Sequence, residues 1–399
     1  MTKSQQAILI INHFSKGILA PIMNLILLGK GATLQTLPLF LGVYSTVALC
    51  SELPSGVSAD LFGRKRVYLL SCGFEILALV LLLFGENVFW LVSAMVFMGL
   101  GRSFASGSID ALFIDDSISM YGKDILPKVT TQMAILEGSG LALGSILGGF
   151  IANSSHTFGI NIRLRLIMTI ILLGLCALFV NPQASEKTSE HKSLRLHLKQ
   201  GKELLLSRSE FSYLLMGFVL FGMLLAAVET YWQPAFLAIS PENSTWMLGI
   251  ITSLGFSTVI LGSWLTKRLL ERDRNWWRLY TYGRLIFGVC IINFALQKNA
   301  FGYILSYGFL YVLLGANSVL DSSILNRISP SNMRASALSL SSLAVQLGYL
   351  SASLISSILV THIDISGLWI MVGVFMCGFG LSIGLVTQRN QKKAKSRSH

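Results

Sequence analysis

Apolar runs of about twenty residues recur from one end of this chain to the other, each long enough for a helix to cross a hydrocarbon core of roughly 30 Å. They fall at approximately 7–28, 36–58, 67–84, 88–115, 129–152 and 163–181, then at 211–238, 246–266, 278–297, 300–325, 336–360 and 365–387. A backbone in lipid must satisfy its own hydrogen bonds, so this pattern predicts an all-α membrane protein with twelve transmembrane helices. Composition agrees: 13% of the 399 residues are charged, against roughly 25% in soluble domains. The first run follows only Lys3 and has no small-residue cleavage pattern, so it reads as a retained helix rather than a signal peptide.

A formal net charge of +12 raises the question of nucleic acid, and the placement of the cations argues against it. With both termini cytoplasmic, the inside segments hold Lys3, Arg64 to Arg66, Lys123, Lys128, the central-loop cations from Lys187 to Arg208, and Lys267 to Arg278. They also hold Arg327, Arg334 and the tail from Arg389 to Arg397, while the outside loops hold only Lys30, Arg163, Arg165 and Lys298. This positive-inside bias sets the orientation and places the protein in the cell membrane (inner or plasma) as a multi-pass chain. The basic tail suits anionic lipid headgroups. Five dispersed cysteines, all inside runs and read as buried packing residues, give no disulfide framework and no metal-ligand spacing.

The one long polar segment, 182–210, divides the chain into a six-helix bundle over 1–181 and another over 211–387, with a basic tail over 388–399. Residues 194–206 within it suit an amphipathic helix at the inner surface. Equal halves around a cytoplasmic connection suggest two pseudo-repeats with a shared cavity. A weak echo agrees: Asp110 and Asp115 in the fourth run match the spacing of Asp321 and Asn326 in the tenth.

Between the second and third runs stands Glu52-Leu-Pro-Ser-Gly-Val-Ser-Ala-Asp-Leu-Phe-Gly-Arg-Lys-Arg66. It resembles the cytoplasmic loop motif of the major facilitator superfamily, Gly-x-x-x-Asp-x-x-Gly-Arg-Lys/Arg, with Gly56, Asp60, Gly63, Arg64 and Lys65 in place and Leu61 where many members carry a cation. The resemblance covers the whole chain. It implies a loop that locks the outward-facing state through acid–cation contacts, with Glu52, Asp60 and Arg64 among its residues. Gly140, Gly144, Gly148 and Gly149 in the fifth run are similar to the superfamily's antiporter motif, with Ser145 at the usual proline. Glycines four apart also make a smooth face for a close helix neighbour. The fourth run departs in spacing from the drug-antiporter arginine motif. It looks more like a drug-efflux-like branch, as do Tyr231-Trp232-Gln233-Pro234 and Pro330…Arg334-Ala335-Ser336.

Charges within the runs carry the chemistry. Lys16, Glu52, Glu75, Arg102, Asp110, Glu137, Glu229, Arg284 and Asp321 all lie there, and each ionised group at bilayer depth costs at least ~2.5–3.5 kcal/mol. Each must pair, face a wet cavity or hold a proton. Arg284 is expected to snorkel to the inner surface, Asp321 and Glu52 to pair with loop cations or helix ends, and Arg102 to pair with Asp110 or Glu137. In the superfamily the first, fourth, seventh and tenth helices line the cavity. The resemblance therefore makes Lys16, Arg102, Phe104, Tyr231, Trp232, Gln233 and Asp321 substrate-cavity candidates. Asp110 and Glu229 are the preferred proton carriers, followed by Glu137 and Glu75, because a carboxylate in a low-dielectric cavity favours its protonated form.

The expected function is secondary-active export of small amphipathic compounds by proton-coupled antiport, of the multidrug type, through alternating access. The alternative is an importer or facilitator of a defined metabolite such as a sugar, amine or organic anion. A static receptor has no use for a state-locking loop. No Walker loop or nucleophile–base motif stands out, so no enzyme and no cofactor beyond the proton gradient is expected. The expected partners are a small-molecule substrate, protons and lipid, with a monomeric chain and no nucleic acid.

Overall fold

The computed structural model describes residues 1–106, 108–154, 158–180, 209–240, 245–272, 275–330 and 333–396, and they are almost wholly helical. In chain order the helices are α1 (Lys3–Leu19), α2 (Met23–Gly29), α3 (Leu37–Phe62), α4 (Arg64–Phe84), α5 (Val88–Ala105), α6 (Ile109–Tyr121), α7 (Leu126–Ser154) and α8 (Gly159–Phe179). They continue with α9 (Ser209–Ile239), α10 (Thr245–Arg272), α11 (Trp276–Ala295), α12 (Ala300–Ile328), α13 (Arg334–Leu359) and α14 (Ile365–Ser396). Asn87, Asn275 and Asn299 open α5, α11 and α12 by accepting the N–H of Trp90, Arg278 and Gly302, which satisfies donors that a helix start leaves orphaned.

Among the described residues nine helices are long and apolar enough to cross a membrane, or ten if a bent pair counts as one span. That pair is α1 and α2, bent by 43°; Pro21 lies between them and has no N–H to continue the ladder. The run expected over 88–115 is also interrupted, because Ser106 adopts an extended backbone after α5 and α6 starts afresh at Ile109. The segment 182–208, including the expected amphipathic helix, lies outside the described residues. The tail expected to begin at 388 continues α14 as helix to Ser396. All five cysteines are free, and Cys50 is exposed on α3 rather than buried.

The described residues group into two compact units. Those up to 180 together with 245–256 form unit 1, and 209–240 with 257–396 form unit 2. The beginning of α10 thus groups with the first half of the chain. Within unit 1, α1 packs on α7 and α4 packs on α8; within unit 2, α9 packs on α13 and α11 on α14. Counted by span, these are first-on-fifth and third-on-sixth pairs in both units, an internal structural echo.

Glycine decides the tightest of these pairs. A Cβ on Gly17 of α1 would lie 2.6 Å from the Leu141 carbonyl oxygen, and one on Gly144 would lie 3.0 Å from the Gly17 Cα. Gly140 meets the Ile10 carbonyl oxygen at 2.9 Å in the same sense, and Gly148 the Ile18 carbonyl carbon at 2.8 Å. Three glycines of the expected motif therefore seat α1, while Gly149 faces Gly249 of α10 at 2.8 Å. Ser145, at the motif's proline position, leaves α7 continuous and returns its hydroxyl to the Leu141 carbonyl at 2.7 Å. Unit 2 repeats the device: a Cβ on Gly222 would lie 2.8 Å from the Val345 carbonyl carbon, and one on Gly348 2.8 Å from that of Val219.

The α3–α4 turn needs glycine for another reason. Gly63 has φ +85°, a backbone that costs other residues roughly 1–2 kcal/mol.

Replacing Gly144 with Leu is predicted to force α1 and α7 apart and to destabilise the protein by at least about 1–3 kcal/mol. Thermal unfolding of the detergent-solubilised protein measures this, and a Gly174→Leu control, at a glycine with open space, should be mild.

Candidate functional site

Unit 1 is apolar at both ends and polar in between. One buried cluster joins Ile8 and Leu9 of α1, Tyr68 and Cys72 of α4, and Leu172 and Cys176 of α8. A second joins Ile18 and Leu19 of α1, Leu79 and Leu82 of α4, and Ile162 of α8. Between or beside these on the same helices stand Asn12, Ser15 and Lys16, then Ser71 and Glu75, then Arg165 and Thr169. All of them but Arg165 line one cavity. Apolar burial above and below thus fixes a polar layer at a set depth.

The charges of this layer belong to five helices. Arg165 of α8 donates to Glu75 of α4 in an ion pair whose side chains are 8% and 17% exposed. His13 of α1 places Nδ1 3.8 Å from Oε1 of Glu137 on α7. Lys16 lies in the field of Arg165, Asp110 and Glu137. Asp110 sits in the first turn of α6, where the positive end of the helix dipole favours a carboxylate. The interruption of the fourth span thereby creates a favourable place for an acid inside the bundle.

Other candidates stand elsewhere. The Arg102 guanidinium lies 5.5 Å from the Tyr44 ring centroid, and Phe104 meets Phe74 edge-on at 5.4 Å. Gln5 donates to Asp116 at 2.9 Å. At the motif loop Arg64 pairs with Asp115 of α6, and Lys65 Nζ donates to the Ala177 carbonyl at the end of α8 at 2.7 Å. The described contacts of the loop cations therefore lie within unit 1. Glu52 and Gly56 are exposed. The side chains of Asp60 and Arg334 and all of Gly107 lie outside the described residues.

In unit 2, Tyr311 of α12 donates its hydroxyl to Glu229 of α9. Tyr311 stacks on Tyr307 at 4.3 Å, and Tyr307 meets Trp232 at 5.0 Å. Tyr303 donates to the Trp232 carbonyl at 2.7 Å. Tyr231, Trp232 and Gln233 are all buried, so these side chains lie in the interior of unit 2 and the partly buried Glu229 is held at its edge.

Three expected placements are corrected. Arg284 does not snorkel: it is fully buried and pairs with Asp321, itself 1% exposed. Its Nη2 also donates to the Tyr280 hydroxyl at 3.3 Å, and the guanidinium lies over the Tyr280 ring at 4.7 Å. Asp321 thus takes its partner from α11 rather than from a loop cation. Arg165 is not a loop cation either, but an interior residue of α8. Mutual neutralisation inside the bundle replaces solvation at its surface.

The comparisons with known proteins agree with this architecture. The sequence profile described as Major Facilitator Superfamily matches residues 7–321. The chain belongs to the Major Facilitator Superfamily. A relative from Bacillus subtilis (strain 168), the uncharacterized MFS-type transporter YxaM, is 24% identical over 371 residues, covering 90% of this chain and 89% of that one. A mutant of the nucleoside transporter NupG superposes with TM-score 0.78 at 14% identity, covering 97% of this chain and 98% of its own. A POT family transporter in complex with 5-aminolevulinic acid gives 0.76 at 14% identity, covering 97% and 96%. At such identities the two structures share the fold with this chain. The protein is a multi-pass membrane transporter of the superfamily.

In this superfamily member the buried charges are legible in the sequence and their partners are not. Arg165 and Arg284 each interrupt an apolar helix, which was the available signal for an interior pair. Tyr311 carries no such signal, since a tyrosine in an apolar run reads equally well as packing.

Glu75→Gln should leave Arg165 buried without a counter-charge and cost about 3–5 kcal/mol, as should Asp321→Asn for Arg284. Removing both charges, in Glu75→Gln/Arg165→Met, should recover much of the loss. Melting temperatures of the single and double variants measure the coupling, and additive losses would contradict it.

Proposed function

We propose that this superfamily member is a proton-coupled secondary-active transporter of small amphipathic compounds, working by alternating access with twelve spans and both termini cytoplasmic. The observation that supports this best is the cluster of Asp110 and Glu137 around Lys16 and His13 in the polar layer of unit 1. An acid there is stable when it is protonated or when a cation neutralises it, so occupancy by protons and by substrate must be linked. In unit 2, Glu229, held by Tyr311, is the acid assigned to this role.

The charge of the substrate sets the sign of that linkage. A cationic amphiphile competes with the proton for the same carboxylates, which gives antiport and export of the multidrug type. The antiporter-motif glycines on α7 are in keeping with this reading. An anionic metabolite instead competes with the carboxylates for Lys16 and enters more easily once they are protonated, which gives cotransport. Lys16 favours this second reading.

In both cases Asp110→Asn is predicted to abolish flux driven by a proton gradient in proteoliposomes, while substrate exchange without a gradient persists. Undiminished proton-driven flux would remove Asp110 from the coupling. Wild-type flux that follows sodium and ignores protons would remove proton coupling altogether.

A further inference from the structure

The exposed side of α10 changes character along its length. Ile260, Leu261, Trp264 and Leu265 are exposed, and so are Arg268 and Arg272 after them. Spacings of three and four residues put all six on one face of the helix. The opposite face is committed to α12. Gly262 and Thr266 are buried there, a Cβ on Gly262 would lie 2.7 Å from the Val312 carbonyl carbon, and one on Gly315 2.9 Å from that of Val259. An open apolar stripe on a membrane-crossing helix meets hydrocarbon, so a stripe that ends in two arginines reaches the level where acyl chains give way to headgroups.

The arginines at this end of unit 2 are held in place but not neutralised. The Arg268 guanidinium lies 3.8 Å from the Trp264 ring centroid, and that of Arg327 on α12 lies 4.5 Å from the ring centroid of Trp276, where α11 begins. The side chains of Arg268, Arg327, Lys267, Arg272 and Arg278 make no hydrogen bond or ion pair among the described residues, and neither does Glu271, the carboxylate described beside them. Stacking occupies the face of a guanidinium and leaves its in-plane fork of N–H donors open, which is the edge that grips a phosphate. The ring also fixes that fork before a ligand arrives, which lowers the entropy lost on binding. Only four residues lead from Arg272 to Trp276, at most about 14 Å of chain, so both stacked arginines border one end of the unit.

We infer that this face of unit 2 binds an anionic phospholipid, its phosphodiester at Arg268 and Arg272 and its acyl chains along Leu261, Trp264 and Leu265. Lys267 and Arg327 add to the attraction. A soluble phosphate meets the same cations but gains nothing from the apolar stripe. A zwitterionic lipid fits the stripe but brings a cation of its own toward the arginines. An anionic headgroup on two acyl chains matches both parts of the surface.

Native mass spectrometry of the delipidated full chain in detergent tests this, with dioleoyl phosphatidylglycerol, dioleoyl phosphatidylcholine and glycerol 3-phosphate as probes. The expected result is tighter binding of phosphatidylglycerol than of phosphatidylcholine, and no binding of glycerol 3-phosphate at the same concentrations. Arg268→Gln/Arg272→Gln should weaken phosphatidylglycerol by on the order of tenfold and leave phosphatidylcholine unchanged. Trp264→Leu keeps the apolar surface and the charge but releases the guanidinium, and should lose part of the preference. Arg66→Gln/Lys128→Gln removes the same charge from exposed positions of unit 1 and should bind phosphatidylglycerol as the wild type does. Equal affinity of the wild type for the two lipids, or glycerol 3-phosphate bound as tightly as phosphatidylglycerol, would overturn the inference without any variant. So would an unchanged affinity in Arg268→Gln/Arg272→Gln, or an equal loss in the unit 1 control.

Discussion

A charge placed in hydrocarbon must find an opposite charge, a water-filled space or a proton, and this requirement organises both units of the protein. In unit 2 it is met by closure: Arg284 and Asp321 neutralise each other in a fully buried pair, with Tyr280 taking one further guanidinium hydrogen. In unit 1 the Glu75–Arg165 pair meets it in the same way and His13 faces Glu137, but Lys16 and Asp110 meet their neighbours only electrostatically. The first arrangement holds helices together. The second leaves charges that a ligand or a proton can still rearrange, and this difference is why unit 1 carries the functional proposal.

The apolar frame makes that layer possible. Side chains one or two turns away on α1, α4 and α8 form closed cores on either side of it, so the depth of the polar residues follows from the register of three helices. Close backbone contact does the rest. Gly140, Gly144 and Gly148 let α1 lie directly on α7, which brings His13 within reach of Glu137. Larger residues at these glycines would separate the two helices and with them the two sides of the charge cluster.

Legibility from the sequence varied with the range of the interaction. Residues such as Glu75, Asp110, Glu137 and Asp321 stood out because a charge in an apolar run is locally anomalous. Gly63 was legible as part of a motif, and its positive φ supplies the physical reason for that residue. The partners were not legible: Glu75 finds Arg165 ninety positions away, and Glu229 finds Tyr311 at a separation of 82. Breaks in helices lay between these extremes. The bend between α1 and α2 falls at Pro21, inside a run read from the sequence as one span, and the interruption at Ser106 has no comparable residue described beside it.

By itself the sequence determined that the chain is a helical membrane protein, which helices carry charge, and where a glycine loop must turn. Those properties follow from the length, apolarity and local stereochemistry of single segments. Only the tertiary structure decided which charges are neutralised by one another and which face a shared cavity. Pairing depends on helix register and on backbones approaching at glycines, and both are set by contacts between segments far apart in the chain.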